Sequence, residues 1–304
     1  MVMWKRKCKI TCTGKLLFFE QSITKCGKNG RGKERNMEKN ILITGEDERQ
    51  RYLAEILGEG KFKVTYVEDF LQMNREKIQK NQVLLFPMVV QQKILEHCKE
   101  NLKQGQRVYG GMFPEEFVQH IKRKGVILFD YTKDDAIAIQ NAVATAEGAI
   151  AEAIINSRVN LHGSQCLVIG FGRCGEILAD KLKGLKCDVT VLVRSKEKMA
   201  RAAAYGYHVK LCKNIKEQKL SKEKEVCFDY IFNTAPAMLV DRQFLQEQKS
   251  MVTIIDIASS PGGVDYDACK ELEIMAKHCL SLPGKYAPMA SAYILADAII
   301  SREQ

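Results

Sequence analysis

Cys166-Leu167-Val168-Ile169-Gly170-Phe171-Gly172-Arg173-Cys174-Gly175 carries the first structural signal of this chain. Four apolar residues run straight into G-x-G-x-x-G and an apolar-periodic stretch follows at once, so the three glycines stand between a strand and a helix. In that setting each glycine has its own task. Gly170 makes the tight turn, Gly172 lets a pyrophosphate approach the backbone, and Gly175 lets helix pack closely on strand, with the phosphates at the helix N-terminus. Arg173 and Cys174 belong to the same expected cofactor-binding loop. The alternative is a glycine-rich turn that holds no nucleotide.

Working outward, the next strand ends Leu192-Val193-Arg194-Ser195-Lys196. An enzyme that reads the ribose 2′-hydroxyl of NAD needs an acidic residue here, ~20 residues beyond the motif. A guanidinium with a neighbouring hydroxyl and ammonium suits a 2′-phosphate instead, because a planar fork binds it bidentately where a carboxylate would repel it. Arg194, Ser195 and Lys196 therefore predict NADP over NAD, the alternative being a solvated basic cap on the following helix. Asn233-Thr234 ends another strand on the same side and is assigned to the nicotinamide-ribose region.

Short β-branched runs alternate with amphipathic stretches in two blocks, the pattern of parallel sheets with crossover helices. The first block predicts strands Ile41 to Thr44, Lys63 to Val67, Val83 to Phe86, Arg107 to Tyr109 and Val126 to Phe129, with helices Glu48 to Leu57, Gln91 to Leu102 and Pro114 to Lys122. The second predicts strands Gln165 to Ile169, Asp188 to Val193, Tyr207 to Lys210, Asp229 to Asn233 and Val252 to Ile257, helices Gly175 to Leu185 and Lys196 to Tyr205, and a last apolar segment near Glu273 to Cys279. Between them Asp134 to Asn156 is alanine-rich without proline and reads as one long helix between two domains. Met289 to Ile300 reads as a final helix packing back on the first block. The expected fold is α/β: a smaller N-terminal parallel domain (37–133, flavodoxin- or Rossmann-like, joined by 288–304), a linking helix (134–156) and a Rossmann dinucleotide-binding domain (157–287).

The 304 residues are 46% hydrophobic and 28% charged, which excludes collagen-like, disordered and disulfide-scaffold classes. No apolar stretch approaches the ~18 residues of a spanning helix. The net charge is +10, but residues 1–36 hold ten Lys/Arg against Glu20 and Glu34, which leaves +2 for the other 268 residues. A body so near neutral lacks the basic face that nucleic acid requires. Residues 1–36 read as a leader: Lys33-Glu34 can be spelled AAG-GAG, a ribosome-binding sequence just ahead of Met37, so the expectation is translated upstream sequence with a native start at Met37. A disordered basic tail is the alternative. The eight cysteines after residue 37 form no C-x-x-C pair, which suggests reduced, cytoplasmic usage and no metal site.

Several segments together resemble one family, the A subunits of dipicolinate synthase. They are Gly45-Glu46-Asp47-Glu48-Arg49-Gln50, Asp130-Tyr131 followed by Asn141-Ala142-Val143-Ala144-Thr145-Ala146-Glu147-Gly148, the Gly170-Phe171-Gly172-Arg173 turn, Asp256-Ile257-Ala258-Ser259-Ser260-Pro261-Gly262-Gly263-Val264-Asp265, and Leu282-Pro283-Gly284-Lys285-Tyr286-Ala287-Pro288. The resemblance covers nearly all of Met37 to Ile300 and departs from the family at Glu46, where the family favours Gly. It implies NADP-dependent oxidation of dihydrodipicolinate to dipicolinate during sporulation, in the mother-cell cytoplasm. The partner it implies is a flavoprotein-like B subunit, with a homo-oligomer expected.

The residue chemistry is compatible with this. An aromatic product needs a hydride acceptor and a route for one proton, with no strong base, and the five histidines form no evident dyad with a carboxylate. D-2-hydroxyacid dehydrogenases, which share the two-domain layout, place a catalytic His before the C-terminal helix; here that loop reads Leu282-Pro283-Gly284-Lys285. A dicarboxylate substrate needs cationic or N–H partners. Arg49, Ser259, Gly262 and Gly263 are the candidate substrate-binding residues, and Glu147, Thr145 and Lys285 the candidate catalytic ones; a helix cap or surface pair is the alternative for each. A non-catalytic NADP-binding scaffold or regulatory subunit is the rival function.

Overall fold

The computed structural model describes residues 39–212, 227–249 and 251–304; the leader and the start at Met37 lie outside the described residues. In chain order the elements are β1 (Lys39–Thr44), α1 (Glu48–Gly58), β2 (Phe62–Val67), α2 (Arg75–Lys80), β3 (Val83–Leu85), α3 (Gln92–Cys98), β4 (Arg107–Gly110), α4 (Glu115–Arg123), β5 (Ile127–Asp130) and the long α5 (Asp135–Asn156). Then come β6 (Gln165–Ile169), α6 (Arg173–Gly184), β7 (Asp188–Val193), α7 (Lys196–Ala204), β8 (His208–Leu211), β9 (Tyr230–Asn233), α8 (Arg242–Gln246), β10 (Thr253–Asp256), α9 (Tyr266–Glu271), β11 (Met275–His278), α10 (Leu282–Tyr286) and α11 (Pro288–Glu303).

The strands form two parallel sheets, ordered β2-β1-β3-β4-β5 and β11-β10-β9-β6-β7-β8. These are the flavodoxin-like and Rossmann-like orders, each with a switch point where chain direction across the sheet reverses: β1/β3 in the first, β6/β9 in the second. The segment read only as apolar, Glu273 to Cys279, is the edge strand β11, paired in parallel with β10. Central strands β3, β9 and β10 are buried along their whole length, as parallel strands covered on both faces must be.

Helices α1 and α11 cover one face of the first sheet, packing Leu53, Leu57, Leu295 and Ile299 on Ile41, Ile43 and Leu85. Helices α3 and α4 cover the other face, with Ile94, Leu95, Phe117 and Ile121 on Leu84 and Val108. In the second sheet Leu178, Leu182 and Ala202 lie over Cys166, Val168 and Val191. Phe244, Leu245, Ala268 and Cys269 close the opposite face. Helix α5 serves both cores: Ile137 packs with the first sheet, and Ala146, Ala149 and Ala153 with the second. Its small residues permit this. A Cβ at Gly148 would come within 2.9 Å of Leu282 and Tyr286 in α10.

Helix α11 is tied down at its far end by Glu303, whose buried carboxylate accepts from Tyr109 Oη at 2.6 Å, from Lys39 Nζ at 3.2 Å and from Arg107. Burial and this carboxylate push the Tyr109 hydroxyl well above its ordinary pKa. Among the described residues no helix is long and apolar enough to cross a membrane.

Candidate functional site

At the switch point of the second sheet, β6 ends at Ile169 and the chain turns through Gly170 at φ +96°. A Cβ there would stand 2.4 Å from Thr234 Oγ1, and that hydroxyl donates to the Ile169 carbonyl at 2.9 Å, so Thr234 at the end of β9 closes the turn. Gly175, in the first turn of α6, is equally constrained: a Cβ would lie 2.2 Å from the Gly170 carbonyl oxygen. Gly172 is different. Its backbone is extended (φ −108°, ψ −163°), a conformation open to any residue, and nothing lies within 4 Å of a Cβ built there. Protein packing demands glycine at 170 and 175 but not at 172, which is exposed with open space above it.

Gly172 is also the N-cap of α6 and offers no side-chain acceptor, so the first N–H groups of the helix face the opening unpaired by a cap. Those donors and the positive end of the helix dipole suit a phosphate. Arg173 leans away, paired with Asp135 at 2.6 Å, and Cys174 is half-buried, its thiol raised above its ordinary pKa by burial. At the end of the neighbouring β7, Arg194 is exposed and has no ion-pair partner among the described residues. Ser195 caps α7, accepting from Lys198 N at 3.3 Å, and Lys196 is exposed beside it. The residues present therefore fit a dinucleotide: an open cradle above Gly172 and a cationic corner where a ribose would end.

The loops after β9 and β10 lie at the same end of this sheet. Asn233 is fully buried and spends both N–H bonds inside the protein, on Asp256 Oδ1 at 2.8 Å and the Ala235 carbonyl at 3.0 Å. Its amide is therefore committed to the protein, while Thr234 beside it closes the Gly170 turn. Gly262 (φ +87°) and Gly263 are buried, the latter with Ala237 O, Ala235 O and Asn233 Nδ2 all within 2.7 Å of a would-be Cβ, while Ser259 is exposed. The peptide bond Ser260–Pro261 is cis.

The expected catalytic residues each have partners within the protein, and Thr145 also lies against the Cys174 thiol. Thr145 Oγ1 donates to the Asn141 carbonyl at 2.9 Å, Glu147 pairs with Lys181 at 2.8 Å on the surface, and Lys285 pairs with Glu152. Among the described residues no hydrogen bond or ion pair joins any two of these three. Glu152 is the residue the sequence reading missed. It is 2% exposed and accepts from Lys277 Nζ at 2.7 Å, from Lys285 and from Tyr286 Oη at 2.8 Å. These partners, Lys277 foremost, pull its carboxyl down to about 2, and Glu152 in turn raises the Lys285 ammonium above its ordinary value. The available signal was its place three residues after Ala149 on the buried stripe of α5.

In the first sheet a cavity of about 270 Å³ opens at the carboxyl ends of β1, β2 and β3, bounded by Gly45, Asp47, Arg49, Glu68, Pro87 and Ser281. Arg49 is 8% exposed. Its Nε lies 2.9 Å from both Asp47 oxygens, its Nη2 bonds Asp47 Oδ2, and a Cβ on Gly284 would stand 3.0 Å from that Nε. Burial disfavours the Asp47 carboxylate, but the Arg49 hydrogen bonds and charge outweigh it and hold its pKa below the ordinary value. Arg49 is thus pinned between Asp47 and the backbone of α10.

Two histidines lie near carboxylates, His120 Nε2 3.3 Å from Glu100 and His208 Nε2 3.4 Å from Asp188, without a hydrogen bond in either case. Neither His120 nor His208 borders the Gly172 opening. His278 reaches the crevice side, its Nε2 2.8 Å from the Ala258 carbonyl.

A stretch of 185 residues is 35% identical to the dipicolinate synthase A subunit of Bacillus subtilis (strain 168), covering 61% of this chain and 59% of that protein. The crystal structure of the dipicolinate synthase A subunit from Bacillus halodurans matches with a TM-score of 0.73 at 27% identity, over 86% of this chain and 97% of that one. The chain resembles dipicolinate synthase A subunits in sequence and in fold. The sequence match spans less than two thirds of the Bacillus subtilis protein, the structural match nearly all of the Bacillus halodurans one. The same fold extends to Salmonella D-lactate dehydrogenase, at a TM-score of 0.61 and 14% identity over 87% of this chain and 96% of that one. No family model matches the sequence. Where hydroxyacid dehydrogenases are expected to carry a histidine before the last helix, the segment here is α10, Leu282–Tyr286, which has none.

Proposed function

We propose that this chain oxidises dihydrodipicolinate to dipicolinate with NADP, acting with a B subunit in a sporulating cell. The observation that carries the proposal is the unfilled space above Gly172 at an uncapped helix N-terminus, one strand away from Arg194. The likeness to dipicolinate synthase A subunits supplies the substrate. The bound dinucleotide provides the acceptor for a hydride. The chain's own residues hold its pyrophosphate at the α6 N-terminus through Gly170, Gly172 and Gly175, and its 2′-phosphate at Arg194, Ser195 and Lys196.

We assign the substrate carboxylates to Arg49 and to the exposed Ser259; Gly262 and Gly263, expected beside it, are buried with their N–H groups given to the Ser259 carbonyl and to Asp256, and shape the turn instead. For this Arg49 must share its fork with, or leave, Asp47. Since the product is aromatic, the second hydrogen departs as a proton without a strong base. Lys285, held as an ammonium by Glu152, does not accept it; Glu147 is the carboxylate assigned to do so. The working division is a smaller lobe, 37–133 with 288–304, closing on a nucleotide lobe, 157–287, about α5.

The test mixes the chain with NADP and freshly made dihydrodipicolinate, alone and then with the B subunit, and follows NADPH absorbance. Appearance of NADPH supports the reading; its absence in both arms refutes it. One observation favours a second reading: Thr145, Glu147, Lys285 and Arg49 all spend their polar groups within the protein. That suits an NADP-binding scaffold, which would bind the cofactor and turn over nothing.

A further inference from the structure

Asp256 ends β10 with no exposed surface, and the mechanism above makes no use of it. Its Oδ1 accepts from Asn233 Nδ2 at 2.8 Å and from Ala258 N at 3.0 Å. Its Oδ2 accepts from Gly263 N at 2.9 Å and from Tyr266 Oη at 3.0 Å. The four donors come from the end of β9, from both ends of the turn after β10, and from α9. Burying a carboxylate is costly unless its lone pairs are satisfied. Here they are satisfied by four donors, so an amide of the same shape would set an NH2 group against at least one fixed N–H donor.

The surroundings leave the turn no slack. A Cβ at Gly262 would lie 2.6 Å from Asp256 Oδ2, and one at Gly263 would lie 2.4 Å from the Ala237 carbonyl. His278 borders the same turn from β11 through the Ala258 carbonyl. The loops after β9 and β10 are therefore clamped to each other at the carboxyl end of the sheet, beside the switch point where such sheets bind ligands.

We propose that Asp256 is a positioning residue: its buried carboxylate locks Asn233 and the Ala258–Gly263 turn into one platform, and so fixes where the exposed Ser259 side of that turn meets a carboxylate-bearing substrate. The inference rests on the proposed oxidation for the identity of that substrate, but the clamp itself is testable without turnover. The Gly170 turn is closed by Thr234 and by Gly175, contacts that none of the four bonds to Asp256 includes.

Asp256→Asn places an NH2 group against donors, and Gly263 N–H, unlike a hydroxyl, cannot turn to accept. Tyr266→Phe removes one of the four bonds and leaves the charge in place. Three quantities are measured for both variants and the wild type: amide exchange in 235–239 and 258–264, NADP affinity, and, with the B subunit present, kcat and KM for dihydrodipicolinate. Loss of a hydrogen bond to a charged group predicts exchange faster by about ten-fold or more in those two segments for Asp256→Asn, and a smaller rise for Tyr266→Phe. NADP affinity should stay within about two-fold, with KM raised in the same order as exchange.

Unchanged exchange in both variants overturns the clamp. If Asp256→Asn fails to fold, Tyr266→Phe decides, and exchange raised across the whole chain with NADP affinity lost reduces Asp256 to a general stabiliser. A wild type that turns over nothing refutes the oxidation, while the exchange pattern still decides the clamp.

Discussion

The two sheets meet the same problem at their switch points and answer it differently. In each, a strand runs into a glycine of positive φ, Gly45 at +129° and Gly170 at +96°, and a helix follows. At the second crevice the helix cap is Gly172, a residue without a side chain, and the α6 donors face open space. At the first, Asp47 caps α1 by accepting from Arg49 N, and the same carboxylate holds the Arg49 guanidinium. One helix N-terminus has no side-chain acceptor; the other carries its own carboxylate. Topology makes a crevice, and the capping residue decides what charge it accepts.

The largest effect should come from filling the open cap. Gly172→Val should abolish NADP binding in a fluorescence titration yet shift Tm by less than about 2 °C, because the backbone is unstrained and nothing in the protein occupies the site. Gly175→Ala should lower Tm by several degrees, as its Cβ meets the Gly170 carbonyl. A Gly172→Val protein that still binds NADP would remove the difference between the crevices.

The next effect is at the closed cap. Arg49→Ala should lower kcat/KM for dihydrodipicolinate by roughly 10- to 150-fold, the ~1.5 to 3 kcal/mol of a hydrogen bond to a charged group, with NADP affinity nearly unchanged. Equal losses in both would place Arg49 on the cofactor or in the fold. Asp47→Asn sharpens the same point: it frees the guanidinium and should lower KM for the dicarboxylate, and a raised KM would show that the pair is needed intact.

A smaller effect concerns α10, whose Gly284 abuts Arg49 and whose Lys285 and Tyr286 hold Glu152. The Glu152 carboxyl is lowered in the folded chain from 4.5 to about 2, so its contribution to stability is complete above its ordinary pKa and is lost as pH falls toward 2. Glu152→Gln should therefore melt below the wild type at pH 7, and the gap should narrow between pH 4.5 and 2 in scans of Tm against pH. A gap independent of pH would mean that packing, not charge, holds α10.

The residues also show why some of this is legible in the sequence. Strand Gln165–Ile169 carries a continuous apolar run and Asp188–Val193 one broken only by Thr190, and the glycines after the first report backbone needs that are local. Helices α8, α9 and α10 span five or six residues, too few for a helical period to register, and Pro283-Gly284 reads as a turn. The buried acids were invisible for another reason. Glu152 owes its place to Lys277, 125 residues away, and Asn233 faces Asp256 across neighbouring strands, so their roles exist only once the sheet is assembled. Arg49 differs: its partner Asp47 stands two residues away and caps the same helix, so that pairing is local, and the sequence reading took Arg49 only as a cation.

The central claim is that the open crevice holds NADP, with Arg194 reading its 2′-phosphate. Calorimetric titration of the wild type with NADP and with NAD tests it most directly. The account predicts NADP binding at least about ten-fold tighter, ~1.4 kcal/mol, and an Arg194→Asp variant that reverses the preference. Equal affinity of the wild type for the two dinucleotides, or binding of neither, would contradict it.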